Sequence, residues 1–464
     1  MYMKETLSAY LAALRGKTVA VLGAGVSNTP LIGLLLKAGV QVTVRDGSES
    51  STFPPERLEA WRSQGATLRL GKDYLEDLAE EVIFRTPGLM PHHPALTAAA
   101  ERGARLTSEM EAFVHLCPAP IIAVTGSDGK TTTTTIISGL LKAAGYRVYV
   151  GGNIGTPLLE RVEEMTAGDW VVLELSSFQL MTMQESPQRA VVTNLAPNHL
   201  DKHTDMDEYV NAKKNIFLHQ GADGQVVLNR DNALTRNLAG QAPGQVTFFS
   251  RQEQMEKGVW LQGGTIVRDG QPVLDTADIA IPGSHNVENY MAAIAAVAGL
   301  VDDSVIRDFA RQFRGVEHRI EWVRTVNGVR YYNDSIASSP SRTIAGLKSF
   351  DHKVFLIAGG YDKHIPFDVL GPEIVERVKV LYLTGDTAPK IRAAVEQTPG
   401  YDPEALPIWE TENLAQAVER AYREAEAGDV VLMSPACASF DRYKNFVERG
   451  NAFKALVAEL EERE

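Results

Sequence analysis

The chain is poor in several things, and each scarcity removes a class of protein. Only two cysteines occur in 464 residues, Cys117 and Cys437. That excludes a disulfide framework and a cysteine-built zinc cluster. Both read as small buried hydrophobes. No apolar run approaches the ~18 residues that a membrane helix needs, so no membrane insertion is expected. Residues Met1 to Lys17 show no charged, then apolar, then small pattern, so no signal peptide is expected and the compartment should be the cytoplasm. Basic residues are also short: 46 against 59 acidic ones, a net charge of −13. A duplex-binding surface must be basic to displace counterions, so no nucleic-acid partner is expected. An anionic nucleotide remains open, because a few placed cations and backbone N–H groups suffice to hold it.

What is present is a repeated alternation of strand-like and helix-like stretches. Strands are expected at Thr18–Leu22, Val40–Val44 and Val82–Phe84. Others are expected at Pro120–Val124, Arg147–Val150, Trp170–Leu175 and Ala190–Asn194, then at Val354–Ala358, Val378–Leu383 and Val430–Met433. Such alternation implies parallel sheets covered on both faces, with ligands at the carboxyl ends of the strands. The polar stretch Gln241–Gly270 reads as short hairpins. The length suggests about three domains, divided near 1–110, 111–315 and 316–464.

The surest motif follows the strand ending at Val124: Gly126-Ser127-Asp128-Gly129-Lys130-Thr131, leading through Thr132 into a helix pattern to Leu141. Glycines let the backbone curl around a phosphate, and the helix start adds partial positive charge. Lys130 neutralises the outer phosphates and the Thr131 hydroxyl suits Mg2+. The strict phosphate-loop pattern has a glycine where Val124 stands, so this is a shortened variant. The five threonines Thr131 to Thr135 are poor helix formers, so helix propensity does not account for them.

Three further residues converge on the same chemistry. Glu174 closes the apolar run Trp170-Val-Val-Leu-Glu174. A carboxylate on a buried strand needs a partner or a metal, although an edge strand would also accommodate it. His199 follows another strand in Asn198-His199-Leu-Asp, and reads either as a metal ligand or as a hydrogen-bonded loop histidine. Beyond it, Thr204 is expected to cap a helix whose apolar stripe is Met206, Tyr209, Val210, Ile216 and Phe217. Lys213 falls in the middle of that stripe while Lys214 points to solvent. A lysine on a buried face snorkels, shifts its pKa or is chemically modified. As a carbamate it would present a carboxylate to a second metal. The first glycine loop, Gly23-Ala-Gly-Val-Ser27-Asn28, with Asp46 after the next strand, imitates a dinucleotide fingerprint in which Asn28 replaces the third glycine. Alone it is open to an NAD site or to a turn that only builds the fold.

In these motifs the chain resembles the Mur ligases. The likeness rests on Gly-x-x-Gly-Lys-Thr, Asn-His-Leu-Asp, Tyr209-Val-Asn-Ala-Lys213, Gly151-Gly-Asn-Ile-Gly155, Leu173-Glu-Leu-Ser-Ser-Phe-Gln-Leu180, Gly359-Gly-Tyr-Asp-Lys363 and Ser434-Pro-Ala-Cys-Ala-Ser-Phe-Asp441, extended to Lys444-Asn-Phe446 and Arg449-Gly450. The resemblance implies an α/β chain in three domains. A Rossmann-like N-terminal domain would bind a UDP-substrate, a central phosphate-loop domain ATP, and a Rossmann-like C-terminal domain the incoming amino acid. It implies an ATP-dependent, ADP-forming ligase of peptidoglycan precursor synthesis, monomeric, joining D-glutamate to UDP-N-acetylmuramoyl-L-alanine through an acyl phosphate. Another amide ligase of the family, or use of L-glutamate, is the alternative. By position the likeness assigns Gly126, Ser127, Asp128, Gly129, Lys130, Thr131, Thr132, Asn286, Asn289, Arg319 and Asp334 to ATP. Thr131, Glu174, His199 and a carbamylated Lys213 would hold two Mg2+, with Lys130, His199 and Lys213 catalytic. Ser27, Asp46, Thr86, Pro87, Gly88, Asn153 and Ser176 fall to the UDP-substrate, and Lys363, Ser439 and Phe446 to glutamate. Two positions depart from the common pattern: Ile336 stands where many members carry lysine, and Asn198 where aspartate often precedes the histidine.

Overall fold

The computed structural model describes residues 5–462. The chain divides into two compact units, Met1–Thr276 with Glu288–Phe309, and Ala277–Val287 with Ala310–Glu464. The architecture is α/β with parallel-rich sheets, as expected.

The first unit holds two sheets. Strands β1 (Thr18–Leu22), β2 (Gln41–Asp46), β3 (Thr67–Leu70), β4 (Val82–Phe84) and β5 (Arg105–Thr107) form a sheet in the order β3-β2-β1-β4-β5. All four pairings are parallel. The second sheet has nine strands: β6 (Ile121–Thr125), β7 (Val148–Gly152), β8 (Trp170–Glu174), β9 (Arg189–Val192), β10 (Gln225–Asn229), β11 (Gln245–Ser250), β12 (Val259–Gln262), β13 (Thr265–Arg268) and β14 (Gln271–Asp275). Their order is β14-β13-β12-β11-β10-β9-β6-β8-β7. β6 and β8 are buried along their whole length, which is why their sequences are near-continuous Ile, Val and Leu rather than alternating. The chain leaves β6 for β7 and β8 on one side and returns to β9 on the other. That reversal opens a crevice at the carboxyl end of β6, where α/β sheets bind ligands.

One expectation fails in this sheet. Gln241–Gly270 is not all hairpin: β11 pairs parallel with β10 in the register Gln225↔Gln245 to Asn229↔Phe249. The hairpins begin only at β12 and run through β14. The polar residues flanking Gln245–Ser250 disguise it, because β11 is exposed at its start, half-buried through its middle and buried only at its end, and lacks the apolar run of its neighbours.

The second unit carries β15 (Glu321–Val326), β16 (Val329–Asn333), β17 (Val354–Ala358), β18 (Val378–Leu383), β19 (Ile408–Glu410) and β20 (Val430–Met433), in the order β15-β16-β20-β17-β18-β19. Only β15 and β16 pair antiparallel. Among the described residues no helix is long and apolar enough to cross a membrane.

Candidate active site

The phosphate loop leaves β6 and enters the helix Lys130–Ala143. Gly129 is left-handed at φ 76°, and Gly126 has φ 150°. Neither has room for a side chain. A Cβ on Gly126 would overlap the Thr193 hydroxyl, and one on Gly129 would overlap Oδ1 of Asn289. The loop is pinned from the β9 side. Asn194 accepts from the Ser127 N–H through its carbonyl and from the Asp128 N–H through Oδ1, each at 2.9 Å. The Thr193 hydroxyl donates to the Asp128 carbonyl at 2.6 Å. Ser127 faces inward, within 2.9 Å of both the Ala196 carbonyl and the Tyr209 hydroxyl. Lys130 folds back onto the loop, donating to the Gly126 and Ser127 carbonyls at 2.9 Å each. The threonine run now has an explanation in part: Thr133 donates to Asn289 at 3.1 Å and Thr135 to the Thr131 carbonyl at 2.8 Å.

Glu174 ends β8, an interior strand between β6 and β7. The edge-strand alternative is therefore removed. Its side chain is 2% exposed. Asn153 Nδ2 donates to Oε1 at 2.8 Å, while Oε2 is buried with no hydrogen-bond partner among the described residues. Backbone proximity is just as close: the Asn153 N–H donates to the Glu174 carbonyl at 2.7 Å. A Cβ on Gly152, at φ 96°, would overlap that carbonyl oxygen. A buried carboxylate oxygen without a donor suits a divalent cation, so these residues fit Mg2+.

Lys213 lies on the helix Met206–Lys214, which is capped by Asp205 and not by Thr204. The Asp205 side chain accepts from the Glu208 N–H at 2.8 Å, and the Thr204 N–H donates to Glu208 at 2.7 Å. Thr204 and Asp205 both have capping chemistry, and the helix starts one residue later than the pattern suggested. The helix stops before Ile216 and Phe217, which are buried in the following turns. Lys214 reaches Gln241 at 2.8 Å and is half-buried instead of fully in solvent. Lys213 is 2% exposed, so it does not snorkel. Its Nζ donates to Thr125 Oγ1 at 3.2 Å and to the Gly126 carbonyl at 2.8 Å, and lies 4.8 Å from the Tyr209 ring centre. Burial pushes its pKa well down, the Lys130 charge pushes it further, and Glu174 and Asp128 oppose. Lys213 is therefore a suppressed ammonium held against the phosphate loop.

His199 is exposed, with φ 56°. Partial burial lowers its pKa, as does Lys130, and Asp201 opposes. Its ring meets the edge of Phe178 at 5.2 Å. Phe178 stacks on a second ring, His203, at 5.1 Å and 10°. His203 was not singled out from the sequence. It is buried, Nε2 lies 2.9 Å from Ser177 Oγ, and Nδ1 lies 3.3 Å from Glu208 Oε2 at ion-pair distance without hydrogen-bond geometry. The four-residue spacing from His199 was the available signal. Ser176 caps the short helix Ser177–Leu180 in a reciprocal box with Gln179.

In the N-terminal sheet, Gly23 (φ 84°) packs against Thr86, and a Cβ there would meet its side chain at 3.0 Å. Asp46 accepts from the Ala24 N–H at 2.7 Å and the Ser48 N–H at 2.8 Å. Asn28, in place of the third glycine, donates to the Leu22 and Gly23 carbonyls at 3.0 and 2.9 Å. The structure thus brings Asp46 and Thr86 to one glycine loop, with Ser27, Pro87 and Gly88 exposed or half-buried around it.

In the second unit, Asp334 is buried, accepting from Ser434 Oγ at 2.7 Å and the Ile320 N–H at 3.3 Å. Burial raises its carboxyl to about 7, with Arg319 among the opposing charges. An antiparallel bridge, Tyr361 to Ala438, joins the block ending at Lys363 to the block containing Ser439. Lys363 is exposed and Ser439 buried. Phe446 starts the helix Phe446–Ala458, and its carbonyl accepts from Ser335 Oγ at 2.7 Å. The residue that ties these blocks together is Arg449, visible in the sequence only as part of the Arg449-Gly450 motif. Its buried guanidinium donates to Ser335 Oγ, the Ser335 carbonyl, and the Cys437 and Ala438 carbonyls at 2.9–3.1 Å. Ile336 is half-buried and its N–H donates to the His318 carbonyl at 3.1 Å. Asn286 sits on the helix Ser284–Ala296, donating to the Pro282 carbonyl at 2.5 Å.

A phosphate loop, a buried carboxylate with an open oxygen and a suppressed lysine define a nucleotide-dependent active site, and comparison with known proteins sharpens the class. Residues 124–297 match the Mur ligase middle domain, and residues 318–437 match the Mur ligase glutamate ligase domain. The chain is 53% identical to a UDP-N-acetylmuramoylalanine–D-glutamate ligase of Acetivibrio thermocellus, covering 99% of this chain and 100% of that one. It is 49% identical to the protein of the same description from Clostridium novyi, with the same coverage. Among solved structures, a UDP-N-acetylmuramoyl-L-alanyl-D-glutamate–2,6-diaminopimelate ligase superposes with a TM-score of 0.57 at 18% identity, covering 95% of this chain and 92% of that one. A UDP-N-acetylmuramate–alanine ligase from Thermotoga maritima gives 0.56 at 17% identity, covering 95% and 99%. The chain belongs to the Mur ligase family and is an ATP-dependent amide ligase.

Proposed function

We propose that the chain joins D-glutamate to UDP-N-acetylmuramoyl-L-alanine in cytoplasmic peptidoglycan precursor synthesis, acting as a monomer. The observation that carries this reading is the convergence of Lys130 and Lys213 on the Gly126 carbonyl, with Glu174 paired to Val124 at the root of that loop, in a chain 53% identical over nearly its full length to a protein of that description. The sheets at residues 18–107, 121–275 and 321–433 would serve three domains, 1–110 for the UDP-substrate, 111–315 for ATP and 316–464 for the amino acid.

A carboxylate is a poor acceptor for an amine. The reaction therefore starts with attack of the substrate carboxylate on the terminal phosphorus of ATP, which releases ADP and leaves an acyl phosphate. The glutamate amine then attacks the acyl carbon, a proton leaves the nitrogen, and inorganic phosphate departs. Bound Mg2+ would supply charge neutralisation among the gathered oxygens. Thr131 and Glu174 fit one such ion, and His199 with a modified Lys213 a second. The chain's own residues do the rest. Lys130, now satisfied by loop carbonyls, has only to turn outward to meet phosphate. The Gly126 and Gly129 backbone admits phosphate oxygens close to the chain because neither residue carries a side chain.

Lys213 is proposed to be carbamylated. Its buried amine is biased to the neutral form, and a neutral amine adds carbon dioxide, forming an N–C bond and losing one proton. The product exchanges a suppressed cation for a carboxylate. Ser27, Asp46, Thr86, Pro87 and Gly88, with Asn153 and Ser176, are proposed for the UDP-substrate. Lys363, Ser439 and Phe446 are proposed for glutamate, with Lys363 supplying the cation for a carboxylate.

The test is phosphate release by the purified chain with ATP and Mg2+. Release should require both UDP-N-acetylmuramoyl-L-alanine and D-glutamate. Release indifferent to either addition rejects the assignment. L-glutamate and diaminopimelate in the same assay separate this reading from its relatives.

A further inference from the structure

Arg85 follows β4 and belongs to no motif singled out in the sequence. Its side chain is 1% exposed. Nη1 donates to the carbonyls of Thr86, Pro87 and Leu89 at 3.2, 3.4 and 2.7 Å. Nη2 donates to the Phe178 carbonyl at 2.7 Å and to Thr182 Oγ1 at 3.3 Å. None of these partners is a carboxylate. A buried guanidinium whose two Nη groups meet only carbonyls and a hydroxyl, and whose Nε has no partner among the described residues, is costly to desolvate, and a packed apolar side chain would be cheaper. What the planar fork provides is geometry: two rigid faces that hold two separate backbone segments at once.

The same stretch touches the second segment again. His92 Nδ1 lies 3.5 Å from Glu208 Oε1, while Glu208 Oε2 lies 3.3 Å from His203 Nδ1. His203 stacks on Phe178, whose carbonyl Arg85 holds and whose edge meets His199. Residues 85–92 therefore grip the Phe178–His203 pair from two directions, and the loop between the grips begins with Thr86-Pro87-Gly88.

We propose that Arg85 is a positioning residue that couples the Thr86-Pro87-Gly88 loop to the histidine turn. A UDP-substrate seated on that loop fixes its carbonyls around Nη1. The guanidinium then fixes Phe178 through Nη2, and the ring fixes His199 beside the phosphate loop. Because coupling between two sites is reciprocal, nucleotide at the phosphate loop tightens the UDP-substrate by the same factor. The inference rests on the proposed function, since it takes these two ligands for the two sites.

The experiment is calorimetry on the full chain with a non-hydrolysable ATP analogue and Mg2+, with and without saturating UDP-N-acetylmuramoyl-L-alanine. The wild-type affinity for the analogue should rise at least about fivefold when the UDP-substrate is present. In Arg85→Lys, which keeps the charge and loses the fork, that factor should fall below about twofold. A merely structural role would lower the thermal midpoint and both affinities while leaving the factor intact, and that result overturns the proposal. So does a wild-type factor of one. If Arg85→Lys does not fold, His92→Ala and Thr182→Val carry the test, because each removes one grip at a half-exposed or uncharged group. Factors equal to wild type in both overturn it. The turnover assay above separates the failures: a wild type that ignores its two substrates breaks the functional reading, whereas an active wild type with an unchanged factor in the variants breaks only the coupling.

Discussion

Asn153 holds one oxygen of Glu174 and leaves the other without a donor. The amide fixes the carboxylate's rotation, so the open oxygen faces in one direction before any cation arrives. Asn153 is proposed to touch the UDP-substrate, and its contact with Glu174 points to a different task. In Asn153→Ala, kcat/KM should fall about 10–100-fold, the range for groups that orient metal ligands. The Mg2+ concentration for half-maximal rate should rise alongside. An unchanged Mg2+ requirement with a raised KM for the UDP-substrate alone would return Asn153 to substrate contact only.

Lys213→Ala should lose at least about a hundredfold in rate, an effect of the size expected when an electrostatic stabiliser is removed. Added acetate or formate should restore part of it, because a short carboxylate can occupy the space that the proposed carbamate would leave. Rates flat across the carboxylate titration would remove the carbamate.

Lys363 is exposed on the loop after β17 and makes no hydrogen bond or ion pair among the described residues that would make it structural. Lys363→Ala should raise KM for D-glutamate by roughly tenfold or more, the cost of losing one charge-assisted hydrogen bond, with KM for ATP nearly unchanged. The reverse pattern would place Lys363 outside the glutamate pocket.

Glu109 opens the helix Glu109–Leu116 and is buried, and burial raises its carboxyl from 4.5 to about 7. The folded state therefore binds this proton more tightly than the unfolded state. The contribution is fully present below about 4.5, is lost as pH rises towards 7, and levels off above. The loss is on the order of 3 kcal/mol at most. Urea unfolding at pH 5 and pH 8 should show wild type losing more stability than Glu109→Gln. Parallel losses would mean that Glu109 ionises without penalty.

Much of this site was legible because its chemistry is written in short segments. The phosphate loop, Glu174 at the end of an apolar run and Lys213 in an apolar stripe each announce themselves within a dozen residues. Contacts across the sheets do not. His203 looks like any polar loop residue until Phe178, 25 residues earlier, stacks on it. Arg85 and Arg449 look like surface charges, because nothing local says that carbonyls from distant segments will surround them. β11 is hidden in the sequence for a related reason. Its half-buried faces carry little hydrophobic signal, and its partner β10 lies across a helical crossover.

The close fit of Thr193 and Asn289 against Gly126 and Gly129 restricts the order in which this enzyme can change. Enlarging either glycine to expel a compound lodged on the phosphate loop carries a cost, because an added Cβ strikes a neighbouring side chain and the backbone there is one that side chains rarely adopt. The neighbour has to shift or shrink as well, and Asn289 holds Thr133 while Thr193 holds the loop carbonyl. Escape from such an inhibitor thus passes through a damaged intermediate, which makes this loop a poor place for resistance to begin.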